Sequence, residues 1–134
     1  MIIKYFWKSI IWAIIIFILC SIPGSDLPKF TFGDFLQIDK IAHIFMYFTF
    51  TIFLIDSFTK QNKYKKLKLN YKFFSILISI IYGGLIELFQ FLWFNERSAD
   101  LLDLLSNIFG IILGIFLFQF TTKTINKIFK FNVF

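Results

Sequence analysis

The sequence predicts an all-α polytopic membrane protein, a bundle of four transmembrane helices with both termini in the cytoplasm. Three observations predict it. First, 58% of the 134 residues are hydrophobic, only 16% are charged and mean hydropathy is +0.77. A chain this short has too much surface for its volume to hide so much apolar side chain in one aqueous core, and far too little charge to be disordered. Second, its charged residues divide it into four apolar blocks, each near the roughly 20 residues that an α-helix needs to cross hydrocarbon. Third, the lysines gather in alternate connecting segments, the pattern left by retention of positive charge on the cytoplasmic side.

The first span is expected at 5–22, where Ser9 to Ile22 carries no charge and Lys8 can snorkel to the headgroups. Its basic start resembles a signal peptide. No small-residue cleavage pattern follows, and Leu19 precedes Cys20 where a lipoprotein site wants Gly or Ala, so the segment is read as a retained anchor. The second span is expected at 41–58. Its uncharged part, Ile41 to Ile55, is short, so its ends must recruit Lys40 and the Asp56-Ser57-Phe58 segment or the lipid must thin. The third, at 73–94, holds one charge, Glu87, and the fourth, at 104–122, holds none.

Lys4 and Lys8, the six lysines from Lys60 to Lys72, and Lys123, Lys127 and Lys130 fall in the amino end, the middle loop and the carboxyl end. The other side has Lys29, Lys40 and Arg97 against Asp26, Asp34, Asp39, Glu96, Asp100 and Asp103. Both termini are therefore placed in the cytoplasm. The same rule, with attraction of juxtamembrane lysines to anionic lipid, accounts for the basic loop without a nucleic-acid partner. In the tail, 123–134, lysines alternate with Ile125, Ile128 and Phe129 as in a short helix on the inner membrane surface. No repeat or linker divides the chain, which is read as one domain, 1–134.

Polar groups inside a membrane are costly and mark a site or a buried partner. Here they recur at helical spacing. Gly83, Glu87, Gln90, Phe94 and Arg97 form one seam, and Asp100, Asp103, Asn107, Gly110 and Gly114 another; Asp39 and His43 lie a turn apart with Lys40 beside them and Tyr47 a turn further on. The ligand-binding set is expected to be Asp39, Lys40, His43, Glu87, Gln90, Arg97, Asp100, Asp103 and Asn107, converging in the outer leaflet. Glu87 is expected to meet His43, Lys40 or Arg97, since lipid disfavours a lone charge. Arg97, the single arginine, offers a planar fork for carboxylate or phosphate, or a salt bridge to Asp100 or Asp103. Gly110 with Gly114, and Gly83 with Gly84, let helix backbones approach.

The single Cys20 excludes an intramolecular disulfide and multi-cysteine zinc sites, and the 22 Phe are read as lipid-facing or interhelical filler. One histidine among several carboxylates shows no recognised metal spacing, so neither a metal nor a cofactor is expected.

Asp39-Lys40-Ile41-Ala42-His43 with Tyr47, Gly84 with Glu87-Leu88-Phe89-Gln90 and Arg97, and Asp100, Asp103, Asn107, Gly110 and Gly114 together resemble the VanZ family of small bacterial membrane proteins. The Ser21-Ile22-Pro23 exit of the first span also fits. The resemblance covers about residues 21–114. It implies a four-helix protein of the bacterial plasma membrane and, for the founding members, a contribution to resistance against teicoplanin, a lipoglycopeptide that acts outside the membrane.

Two functions follow from the polar set. In the first, an outer-leaflet pocket binds a lipid headgroup, a lipid-linked cell-wall precursor or a lipoglycopeptide: Arg97 and Lys40 hold phosphate or carboxylate, and Gln90 and Asn107 supply hydrogen bonds. In the second, a membrane hydrolase or transferase acts on a phospholipid or polyprenyl phosphate, with His43 and Glu87 as acid and base and Asp100 or Asp103 as nucleophile or metal ligand. No nucleophile motif or glycine-rich phosphate cradle is present, which favours binding. A transporter needs a site reached from both sides, whereas these groups are expected to stop in the outer half.

Overall fold

The computed structural model describes residues 2–22, 32–93 and 101–131, with side chains described over 2–22, 38–93 and 101–120. Every regular element in them is a helix: α1 (Ile3–Cys20), α2 (Phe32–Lys60), α3 (Lys65–Leu69), α4 (Tyr71–Trp93) and α5 (Leu101–Phe131).

Four stretches are long and apolar enough to cross a membrane: Ile3–Cys20, Ile38–Lys60, Tyr71–Trp93 and Leu101–Phe120. All lie within a few residues of the spans expected from the sequence. The short second block becomes a 23-residue span because the helix runs through its flanking charges. Each of those charges has a partner, Lys40 on Asp103 and Asp56 on Lys60 at 2.8 Å, so extension is cheaper than thinning the bilayer. At the other end of the chain α5 continues from its span to Phe131 as one helix.

The bundle has its polarity turned inside out. Large apolar side chains such as Ile41, Phe45, Phe73, Leu85, Phe91, Phe116 and Phe120 are exposed, as lipid contact requires. A small apolar core, including Ile16, Met46, Tyr47, Phe50, Leu54, Phe58, Ile86 and Ile111, lies between the helices. Half of the α2 span is buried against 17% of α1, so α2 is the central helix and α1 a peripheral one.

α2 and α5 run parallel and touch backbone to backbone. A Cβ added to Gly110 would lie 2.3 Å from the carbonyl oxygen of Ile44, and one added to Gly114 would lie 2.9 Å from that of Phe48. Only glycine permits this approach. α1 is held to its neighbours by side-chain bonds to main-chain carbonyls. Tyr82 on α4 donates to Ala13 O at 2.6 Å, Gln90 donates to Cys20 O at 3.0 Å, and Trp12 on α1 donates to Met46 O on α2 at 2.9 Å.

Between α2 and α4 the fully buried Gln61 closes the turn, its Nε2 donating to Tyr64 O and its Oε1 accepting from Tyr64 N, both at 2.9 Å. The five-residue α3 that follows carries Lys65, Lys66 and Lys68.

Candidate functional site

The glycine contact fixes the register of the residues one to two turns before it. Because Gly110 meets Ile44, the first turns of α2 and α5 lie side by side. Lys40 is ion-paired and hydrogen-bonded to Asp103, and His43 Nδ1 donates to Asn107 Oδ1 at 2.9 Å. Asp39, one turn before His43, brings a carboxylate oxygen 3.9 Å from His43 Nε2, and its other oxygen lies 3.9 Å from the Lys40 ammonium. Five side chains from two helices thus form one polar cluster. His43 and Asn107 are 2% and 1% exposed, so they are removed from solvent, while Asp39 and Lys40 lie toward the rim.

Counted from the span ends at 1.5 Å per residue, His43 lies about 8 Å inside, and Asn107 and Glu87 each about 9 Å inside. The three are at one level. Glu87 is buried on the inward face of α4 that also carries Ser75, Ser79, Gly83 and Gln90. Tyr47 stands between α4 and the cluster. Its ring covers Gly83, where an added Cβ would meet Tyr47 Cε1 at 3.3 Å and the hydroxyl at 3.4 Å, and it lies within electrostatic range of Glu87.

Asp39, Lys40, His43, Asp103 and Asn107 are therefore brought together. Gln90 is buried at the same end of the bundle but its amide is directed to the Cys20 carbonyl of α1, which makes it an anchor for that helix. Of the expected partners of Glu87, His43 is engaged with Asn107 and Asp39. Arg97 and Asp100 lie outside the described residues.

Tyr47 OH and Asn107 Nδ2 are buried without a hydrogen-bond partner among the described residues, as is Ser75 Oγ toward the opposite end of the bundle. Buried polar atoms are nearly always satisfied, so these two donors at the cluster are suited to a water or to the oxygen atoms of a ligand. Asp39, His43 and Asp103 can also offer one ligand atom each to a metal, those atoms lying within 4.8 Å of one another. Asp103 comes from a different helix, so spacing along α2 alone could not reveal this trio.

Buried polar groups are not confined to this end. Thr51 Oγ1 meets Ser79 Oγ at 3.2 Å near the middle of the bundle, and Ser9 Oγ meets Ser57 Oγ at 3.1 Å toward its opposite end. These hydroxyls extend the seam beyond the half expected from the sequence. The signal was the continued four-residue step, Asp39-His43-Tyr47-Thr51 on α2 and Ser75-Ser79-Gly83-Glu87 on α4.

Comparison with curated proteins and with solved structures gives no significant match. Comparison with protein families matches VanZ/LLP1 over residues 2–122, which takes in all four spans and every residue of the polar cluster. With four membrane-crossing helices and this match over nearly its whole length, the chain is a multi-pass membrane protein that belongs to the VanZ/LLP1 family.

Proposed function

We propose that the chain is a bacterial plasma-membrane protein whose polar cluster binds, from the outer leaflet, the headgroup of a lipid, a lipid-linked cell-wall precursor or a lipoglycopeptide. One observation carries the proposal: ionisable groups meet within the first turns of the α2 and α5 spans, with two open hydrogen-bond donors, Asn107 Nδ2 and Tyr47 OH, about two turns inside the span ends. Burying them costs several kcal/mol unless they are paired or used. Lys40 supplies positive charge, Asn107 Nδ2 and Tyr47 OH are donors for phosphate or carbonyl oxygen, and Asp39 and Asp103 orient the lysine. Arg97 and Asp100, which lie outside the described residues, are assigned to the same binding set on their place in the polar seams of the sequence. The lysine distribution supports an outward-facing cluster with both termini in the cytoplasm. Family membership supports a contribution to teicoplanin-type resistance.

A second reading, a hydrolase or transferase acting on a phospholipid or polyprenyl phosphate, is favoured by the meeting of His43 with two aspartates. The two separate in one experiment. Purified protein is incubated with labelled lipid phosphates, with and without divalent cations. Binding without product, lost in Asn107→Leu and Arg97→Lys, supports the first reading. Product formation that Glu87→Gln abolishes while binding persists rejects it in favour of the enzyme.

A further inference from the structure

We propose that Asp39, His43 and Asp103 form a site for a divalent first-row transition ion, and that the Lys40 ammonium is its built-in competitor. The cluster supplies one imidazole nitrogen and two carboxylates, a mixed N,O set that suits Zn²⁺ or Mn²⁺ and leaves coordination positions open.

The orientation of His43 carries the proposal beyond a mere gathering of acids. Its Nδ1 donates to Asn107 Oδ1 at 2.9 Å, which in the neutral ring leaves the lone pair on Nε2, the nitrogen nearer Asp39. A hydrogen bond from the far ring nitrogen to an oxygen acceptor is the arrangement that orients metal-ligating histidines. Nε2 points at a carboxylate oxygen of Asp39 3.9 Å away, and this imidazole is nine-tenths buried. With the ring neutral, a lone pair on Nε2 and the Asp39 carboxylate oxygen are two acceptors, an arrangement that a cation between them would satisfy. The separation is too long for a hydrogen bond, whose N···O distance is about 2.7–3.2 Å. Bonds of about 2.0–2.2 Å place neighbouring ligands about 3.0–3.6 Å apart, so a closure of a few tenths of an ångström brings this pair onto one ion.

Asp103 completes the trio from α5, and Lys40 now holds it. An arriving ion takes over Asp103, the ammonium swings toward the rim, and a small rotation of the carboxylate closes the widest of the three separations. Lys40 therefore weakens the site. Metal binding here does not depend on a lipid ligand, since it is read on the protein alone; a metal-free headgroup binder and a metal binder without affinity for lipid phosphate remain distinct results.

The test uses full-length protein purified in detergent without a polyhistidine tag, stripped of metal and titrated with Mn²⁺, Co²⁺ and Zn²⁺. The expected result is one ion per chain, with affinity falling about 100-fold or more in Asp39→Asn, His43→Gln and Asp103→Asn, and about 10- to 100-fold in Asn107→Leu. Lys40→Met is expected to tighten binding about tenfold, the opposite sign from damage to the fold. Imidazole nitrogen coupling in the electron spin echo spectrum of the Mn²⁺ or Cu²⁺ form identifies the ligand without any substitution, since His43 is the chain's one histidine. Absence of stoichiometric binding, absence of that coupling, or affinity unchanged in Lys40→Met overturns the proposal.

Discussion

Replacing Gly110 with alanine should pull the polar cluster apart without touching any of its members. The added methyl would sit 2.3 Å from the Ile44 carbonyl oxygen and 3.1 Å from its Cα, against the 3.4 Å where ordinary contact begins. Both obstacles are backbone, so α5 must move from α2 by about 1 Å. Strain of that kind costs about 1–3 kcal/mol. The same shift stretches the His43–Asn107 bond, 2.9 Å in the native bundle, beyond useful range, for about 1 kcal/mol more. Alanine returns about 1 kcal/mol through helix propensity. The net loss is about 1–3 kcal/mol, or about 5- to 150-fold in the ratio of folded to unfolded protein. Gly84→Ala is the control, because nothing lies within 4 Å of the new methyl; it should be neutral or slightly stabilising. Unfolding of the two variants in detergent, followed by thermal loss of the monodisperse peak, compares them directly. If Gly110→Ala matched Gly84→Ala, the close parallel contact and the cluster register built on it would both be wrong.

Two further outcomes are expected. Lys40→Met and Asp103→Leu should each destabilise by about 1–3 kcal/mol, since each removes the nearest opposite charge from a partly buried group, while the double variant should lose about 1–2 kcal/mol less than the sum. In a Cys20→Ser background, a cysteine at Asn62 should resist a membrane-impermeant maleimide in intact cells and one at Phe32 should react; the reverse labelling would invert the proposed orientation of the cluster.

Span number and position were legible because hydrocarbon imposes a length and forbids unpaired charge, and both constraints act on the sequence directly. The second span shows where that logic needs structure. Lys40 and Asp56 break the apolar run, and only knowledge of Asp103 and Lys60 as partners shows that the helix passes through them. Within the site, polar seams and glycines predict that His43 and Asn107 share one region but not that they bond directly, since His43 is expected to meet Glu87. The fate of Gln90 was hidden as well, because its partner is a main-chain carbonyl, and every residue has one. Ser79 and Ser75 stood in the four-residue step of α4 but carried little weight, since a serine in a span is inexpensive wherever its hydroxyl can return to its own helix.

Because α1 is grasped at the carbonyls of Ala13 and Cys20, its outward side chains carry little of the information that seats it. Parallel to α4, it is indexed by two rungs, and sliding by one helical step would forfeit both together. The lipid-facing surface of this first helix is therefore free to vary, provided the tyrosine and glutamine opposite and its own inward Ser9, Trp12 and Ile16 persist.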